Sequence, residues 1–333
     1  MRRFAGVTAV ATVLLLASAD RTFAAGTNLG PIGFGTMLVD NADNAVFVSA
    51  PKANAVKVLN FSGEVVATIG GIDGAYGMAL SGGNLYVAGT TFGGIVEVHL
   101  PDLTTSELRG AAGIKWLTVS GTTLWATRRP QGGCCWSALA SMRLNGRENV
   151  RLHEQEYIEP QLASSPSFPN QVFVVEESSP GTVLRLRIGR RRAKVLAETK
   201  FGELEIPEGL ALSSNGQLLL APDHTNLEEL NAETLKPDGV VYDTERTEGQ
   251  PSAAAYSQSD LLAAGVERRW YSTELSPDVA VYAVGKPAPI FEATTEPWGV
   301  LRDGIGISED GTTVFAASEA SNGDVVISTF AVS

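Results

Sequence analysis

The sequence predicts an all-β propeller of seven four-stranded antiparallel blades, with six blades as the alternative count. Three observations predict it. A two-strand phrase recurs along the chain, its second strand is apolar on both faces, and the composition suits many short strands and turns. Of 333 residues, 44% are hydrophobic, only 19% are charged and 35 are Gly, which excludes a disordered or coiled-coil chain.

Taken in order, the first element is not part of the fold. MRRFAGVTAVATVLLLASADRTFAA puts Arg2 and Arg3 ahead of an apolar run ending near Ala17, followed by small residues, the pattern of a secretory signal peptide. The run falls short of the roughly 20 helical residues a membrane span needs. Cleavage is expected after Ala19 or Ala24, leaving residues 26–333 as one domain, secreted or periplasmic, with no membrane span in the mature chain. Cleavage after Ala24 leaves 22 Lys+Arg against 36 Asp+Glu, a net charge of −14. A field of that sign repels polyanions, so nucleic acid is disfavoured as a partner.

The repeated phrase is an apolar strand, a turn of Ser, Gly, Asn or Asp, and a second apolar strand. It reads MLVDNADNAVFVSAP from Met37, GMALSGGNLYVAGTT from Gly77, WLTVSGTTLWATRR from Trp116, QLASSPSFPNQVFVVEES from Gln161, IPEGLALSSNGQLLLAPDH from Ile206 and GIGISEDGTTVFAASE from Gly304. Residues just before each turn are Asp40, Ser81, Ser120, Ser164, Ser213 and Ser308, at intervals of 41, 39, 44, 49 and 95. The last interval spans two units, so a degenerate copy is expected within it. A hairpin such as AVKVLNFSGEVVATI after the first copy supplies the outer two strands. Runs such as VFVSA, LYVAG and VFVVE expose no polar face, as strands sandwiched between blades require. A four-stranded blade cannot bury both faces alone, and radial repetition solves that. The last blade shows three strands of its own, and Gly26 to Gly35 is expected to supply the fourth.

IPEGLALSSNGQLLLAPD, AYGMALSGGNLYVAG and EDGTTVFAAS resemble the repeats of NHL-type, YVTN-type and gluconolactonase- or strictosidine-synthase-like propellers. In such rings the segments entering first strands and leaving second strands meet on one face around the channel. The resemblance implies binding at that face through Lys52, Tyr76, Trp116, Arg128, Arg129, Glu176, Glu177, Trp298 and Glu319, to a small molecule, glycan or protein. It also implies an alternative, a lactonase-, hydrolase- or synthase-like enzyme with Glu208, Asp223 and His224 as catalytic candidates. Gluconolactonase-like enzymes hold a divalent ion in this region, which makes Glu176, Glu208 and Asp223 candidate ligands for Ca²⁺, a cation bound by carboxylate oxygens. The metal-binding Glu that family places early in the first blade is missing from GFGTML (Gly33 to Leu38).

Three further strings stand out. GGCCW holds the two cysteines, Cys134 and Cys135; in an oxidising compartment they are expected to form a vicinal disulfide, with free or interchain thiols as the alternative. IGRRRAK, from Ile188, reads as a charged outer turn that guards a sheet edge. Asn60-Phe61-Ser62 is an N-glycosylation sequon. Phosphate-cradling loops, zinc-spaced Cys/His clusters and nucleophile elbows are absent.

Overall fold

A computed structural model of the chain describes residues 26–91, 94–108, 113–129, 136–144, 151–158, 160–189, 192–200, 204–223, 227–242, 244, 249–268, 276–295 and 297–332. Cys134, Cys135 and His224, and with them the vicinal disulfide and one catalytic candidate, lie outside the described residues, as do Arg190 and Arg191 of the basic turn.

The chain forms seven four-stranded antiparallel sheets, so the six-blade alternative is excluded. The innermost strands are β2 (Met37–Asp40), β6 (Ala75–Ser81), β10 (Ile114–Ser120), β14 (Gln161–Ala163), β18 (Ala211–Leu212), β22 (Gly249–Tyr256) and β26 (Val300–Ile307). Within blades 1 to 6 the strands follow chain order outward from these. The degenerate unit is blade 6. Its first strand is β22, and Ser257 takes the marker position, 44 residues after Ser213 and 51 before Ser308.

The recurring Ser has a specific task. The hydroxyls of Ser213, Ser257 and Ser308 accept the backbone N–H of Leu218 (2.9 Å), Leu261 (3.0 Å) and Thr313 (3.0 Å), closing the turn between first and second strands. Asn215 and Asp310 accept a further turn N–H each, the local competition for backbone donors that makes these residues turn formers. In blade 4 the work falls to Ser165, which accepts from Ser167 N–H. Its neighbour Ser164 instead reaches the Val119 carbonyl of blade 3 at 2.6 Å.

Second strands are buried almost end to end, as in β3 (Ala45–Ala50), β15 (Gln171–Glu176) and β27 (Thr313–Glu319). Outer strands such as β9 (Thr104–Leu108) are nearly all exposed. The apolar side chains do not collect at one centre. They form seven clusters among the described residues, one at each blade-to-blade interface. Phe47 packs with Met78 between blades 1 and 2, Phe173 with Leu219 between blades 4 and 5, and Phe315 with Val48 between blades 7 and 1. Each such side chain contributes roughly 1.5–3 kcal/mol through removal from water.

The ring closes as the sequence predicts. β1 (Thr27–Asn28) pairs antiparallel with β28 (Val325–Ala331) as the outer strand of blade 7, in the register Thr27↔Ile327 and Asn28↔Val326. Leu29 N–H and the Gly30 carbonyl extend the ladder to Val325 at 2.8 and 2.9 Å, and Asn28 Nδ2 donates to Asp324 at 2.9 Å. Deleting residues 26–30 removes this strand and uncovers Val326 and Ile327. Calorimetry of the propeller lacking residues 26–30 is expected to show melting several degrees lower, at about 2–4 °C per kcal/mol for a domain this large; unchanged melting contradicts the closure.

Candidate functional site at the channel mouth

The seven innermost strands surround a cavity of about 460 Å³ whose walls include Met37, Met78, Leu117, Leu162 and Ile305, with Trp116, Gln161 and Asp303 towards one end. Segments entering first strands and leaving second strands meet at that end, as the fold dictates, so the rim nominated from the sequence exists.

Several first strands bulge where they pass the mouth. In β6 and β10 one extra residue stands opposite the second strand, between Ala75 and Met78 and between Ile114 and Leu117. The bulge presents Tyr76 and the Lys115–Trp116 pair. A hydroxyl from the second strand satisfies the displaced backbone: Thr127 Oγ1 accepts Trp116 N–H at 3.1 Å, and Ser49 Oγ accepts Thr36 N–H at 2.8 Å. Gly77 is required beside them, because a Cβ there would stand 2.3 Å from the Lys115 carbonyl oxygen and 2.9 Å from Trp116 Cα. Trp116 meets the Tyr76 ring edge-on at 5.3 Å. The Lys115 ammonium lies 5.1 and 5.5 Å from the two ring centroids, a cation–π arrangement.

Across the channel lies a polar cluster built from blades 4, 5 and 7. Arg302 Nη2 pairs with Glu177 Oε1 at 2.7 Å, and Arg302 Nε donates to the Glu208 carbonyl at 3.3 Å. Gln161 Nε2 donates to Glu177 Oε1 at 3.0 Å and to Asp303 Oδ2 at 3.2 Å. Asp303 is half-buried in the channel wall. Loss of hydration pushes its carboxyl up to about 7, with Glu177 and Glu208 adding to the rise and Arg302 and Gln161 opposing it.

Of the residues nominated from sequence, Glu177, Glu208, Tyr76 and Trp116 are brought to the mouth. Glu176 points the other way, because adjacent residues at a strand end face opposite sides. It accepts Ile158 N–H at 3.2 Å, and burial raises its carboxyl, with Glu198 adding to the rise. Asp223 is buried and accepts Glu205 N–H at 3.1 Å; it ties down the segment that enters blade 5. Glu176 and Asp223 accept from different backbone N–H groups, and no three His, Cys, Asp or Glu side chains among the described residues are grouped to hold a metal ion. Lys52 lays its stem beneath Gly33, and Arg128 and Arg129 are half-buried at the end of β11 (Thr123–Arg128). Glu319 is exposed at the end of β27.

Trp298 is 41% exposed. Its carbonyl accepts Arg268 N–H at 3.0 Å, and Arg268 is itself in a buried ion pair with Asp278 at 2.6 Å. Asp278 also accepts the Thr295 N–H and hydroxyl, both at 2.8 Å. This pair fastens the end of blade 6 to the segment that carries Trp298 into blade 7.

Sequence reading missed Gln161, Arg302 and Asp303. LRD precedes GIGIS, but the extra length of this unit is measurable only once the first strand of blade 6 is known, and nothing near Gln161 marks its role.

Many solved structures share this fold, two of them as follows. A chain described as Kuenenia stuttgartiensis hydrazine synthase superposes with a TM-score of 0.68 at 14% identity, covering 96% of this chain and 99% of that one. The β-propeller domain of Cps50 (Swd1) from Myceliophteria thermophila gives 0.67 at 10% identity, covering 92% and 99%. At such identities the likeness concerns the fold alone. No family model matches the chain, and no curated protein sequence does.

The raised Asp303 carboxyl has a definite consequence for stability. The folded state holds this proton more tightly than the unfolded chain, so the contribution is complete below about pH 4 and is lost as pH rises towards 7. Asp303→Asn cannot ionise. Relative to this variant, the wild type is expected to lose stability between pH 4.5 and pH 7.5, read as urea midpoints; a constant or rising difference contradicts the assignment.

Proposed function

We propose that the protein is an exported propeller that binds a small molecule, glycan or protein partner at the channel mouth. The supporting observation is the convergence there of chemically varied side chains from separate blades: Glu177, Gln161, Arg302 and Asp303 on one side, Tyr76, Lys115 and Trp116 on the other. Concave sites that join apolar walls to a few placed polar groups are the usual form of a binding pocket. The repeat grammar supports the finer reading, a propeller of the NHL or gluconolactonase-like kind, and the apolar leader after Arg2 and Arg3 supports export.

A second reading, an enzyme of the lactonase or hydrolase kind, is favoured by one observation. Asp303 carries a carboxyl near 7, the range suited to general acid–base work. In that reading Asp303 takes the place of Glu208 and Asp223 as the first residue to test.

Export is checked by N-terminal sequencing of protein recovered from the extracytoplasmic fraction. The expected first residue is Asp20 or Ala25; an intact Met1 confined to the cytoplasm refutes it. Binding is checked by thermal shift of the mature protein against a panel of monosaccharides, amino acids, short peptides and CaCl₂. A binder at 100 times its Kd contributes about 2.7 kcal/mol, a rise of several degrees. The shift is expected to vanish in Arg302→Met and shrink in Trp116→Ala. A hit whose shift survives both substitutions places binding elsewhere, and a panel without hits counts against the reading.

A further inference from the structure

One segment of the mouth differs from its counterparts. Where β6 and β10 carry one extra residue, β26 carries three: Val300 pairs with Ser318 and Ile305 with Ala316, so 301–304 stand opposite Ala317 alone. The segment leaves the blade and turns sharply. Asp303 holds a φ of 53°, and a Cβ on Gly304 would come within 2.6 Å of the Leu301 carbonyl oxygen.

This excursion is fastened across the opening rather than to its own blade. Arg302 reaches Glu177 and the Glu208 carbonyl, and Asp303 reaches Gln161, so blade 7 is tied to blades 4 and 5. Gly209 lies beneath, with space for a Cβ only 3.0 Å from Asp303 Oδ1. The same Gln161 Nε2 serves both Glu177 and Asp303.

The groups facing Asp303 are Arg302 from its own strand, Gln161 from β14, Glu177 after β15 and Glu208 before β18. One guanidinium thus stands among three carboxyls. With Asp303 protonated the cluster carries one excess negative charge; with Asp303 ionised it carries two, in a partly dehydrated setting where repulsion is poorly screened.

We propose that residues 301–304 form a strap that closes this end of the channel while Asp303 is protonated and is released when Asp303 ionises. The Gln161 N–H and the Arg302 charge favour the ionised carboxyl but are outweighed by its lost hydration and the two neighbouring carboxyls, so ionisation favours release, which hydrates the carboxylate and relaxes the left-handed backbone at Asp303. The raised carboxyl agrees with this order of events. The biological use of the strap rests on the channel mouth being the binding face, but its motion does not.

Hydrogen–deuterium exchange of the full mature chain, corrected for intrinsic rates, tests it at pH 5.5 and 8.5. Protection of the peptide covering 301–306 is expected to fall about tenfold or more across that interval, while a reference peptide covering 314–318 of β27 stays constant. Asp303→Asn is expected to keep the strap protected at both values. Gln161→Leu is expected to leave it unprotected at both, with the reference peptide unchanged. Protection independent of pH in the wild type overturns the proposal, as does an Asp303→Asn chain that loses protection in parallel or a Gln161→Leu chain that behaves as wild type. Because no ligand is involved, a pH-dependent strap without any thermal-shift hit would sink the binding reading and leave this one standing, and binding beside a pH-invariant strap would do the reverse.

Discussion

Every blade of this molecule is apolar on two faces, and a four-stranded sheet has no way to cover both by itself. That constraint governs the rest. It places the apolar clusters between sheets instead of at a centre, which leaves the axis open and lined by the innermost strands. It also explains the gradient within each blade, from second strands buried along nearly all their length to outer strands in water. Stability is thereby spread over seven interfaces, and no single cluster dominates.

Such a ring needs adjacent strand pairs to be close to equal, and blade 5 is short of strand: β18 has two residues and β19 (Leu218–Leu220) three. Its contact with blade 6 is reinforced by a buried polar group. Glu229 is almost fully buried and accepts the hydroxyls of Tyr242 at 2.6 Å and Tyr256 at 3.0 Å, and the Tyr242 ring packs on Tyr282 at 4.9 Å. Both phenols are held protonated by burial and by the Glu229 carboxylate. With both phenols donating to one acceptor, the buried carboxyl is hydrogen-bonded rather than orphaned, and the network fixes one arrangement of the two blades.

The architecture was legible in the sequence because its signals are local. Hairpins, turn hydroxyls and two-faced apolar runs are encoded within a few residues of one another, and the Ser before the turns of blades 5, 6 and 7 is explained by the backbone N–H it accepts. The mouth was legible only in part. Glu177 and Glu208 sit where segments leave and enter blades, so the repeat alone located them. Glu176 and Glu177 look equivalent on paper, yet strand alternation sends one to Ile158 and the other to Arg302. Gln161 and Asp303 meet across 142 positions of chain, and neither carries any mark of that meeting in its surroundings. A bulge of three residues is visible only once the pairing on each side of it is known.

The seam of the ring lies within blade 7, where Thr27 and Asn28 lie beside Ile327 and Val326. The two sides of this clasp stand about as far apart along the chain as its length allows, so forming it is a long-range step with a large entropic cost. A ribosome delivers Thr27 and Asn28 about 300 residues before Val326 and Ile327. Throughout that interval the growing arc presents an uncovered apolar flank on blade 1 and another on its most recent blade, so the nascent protein is most prone to self-association just before its final strand arrives.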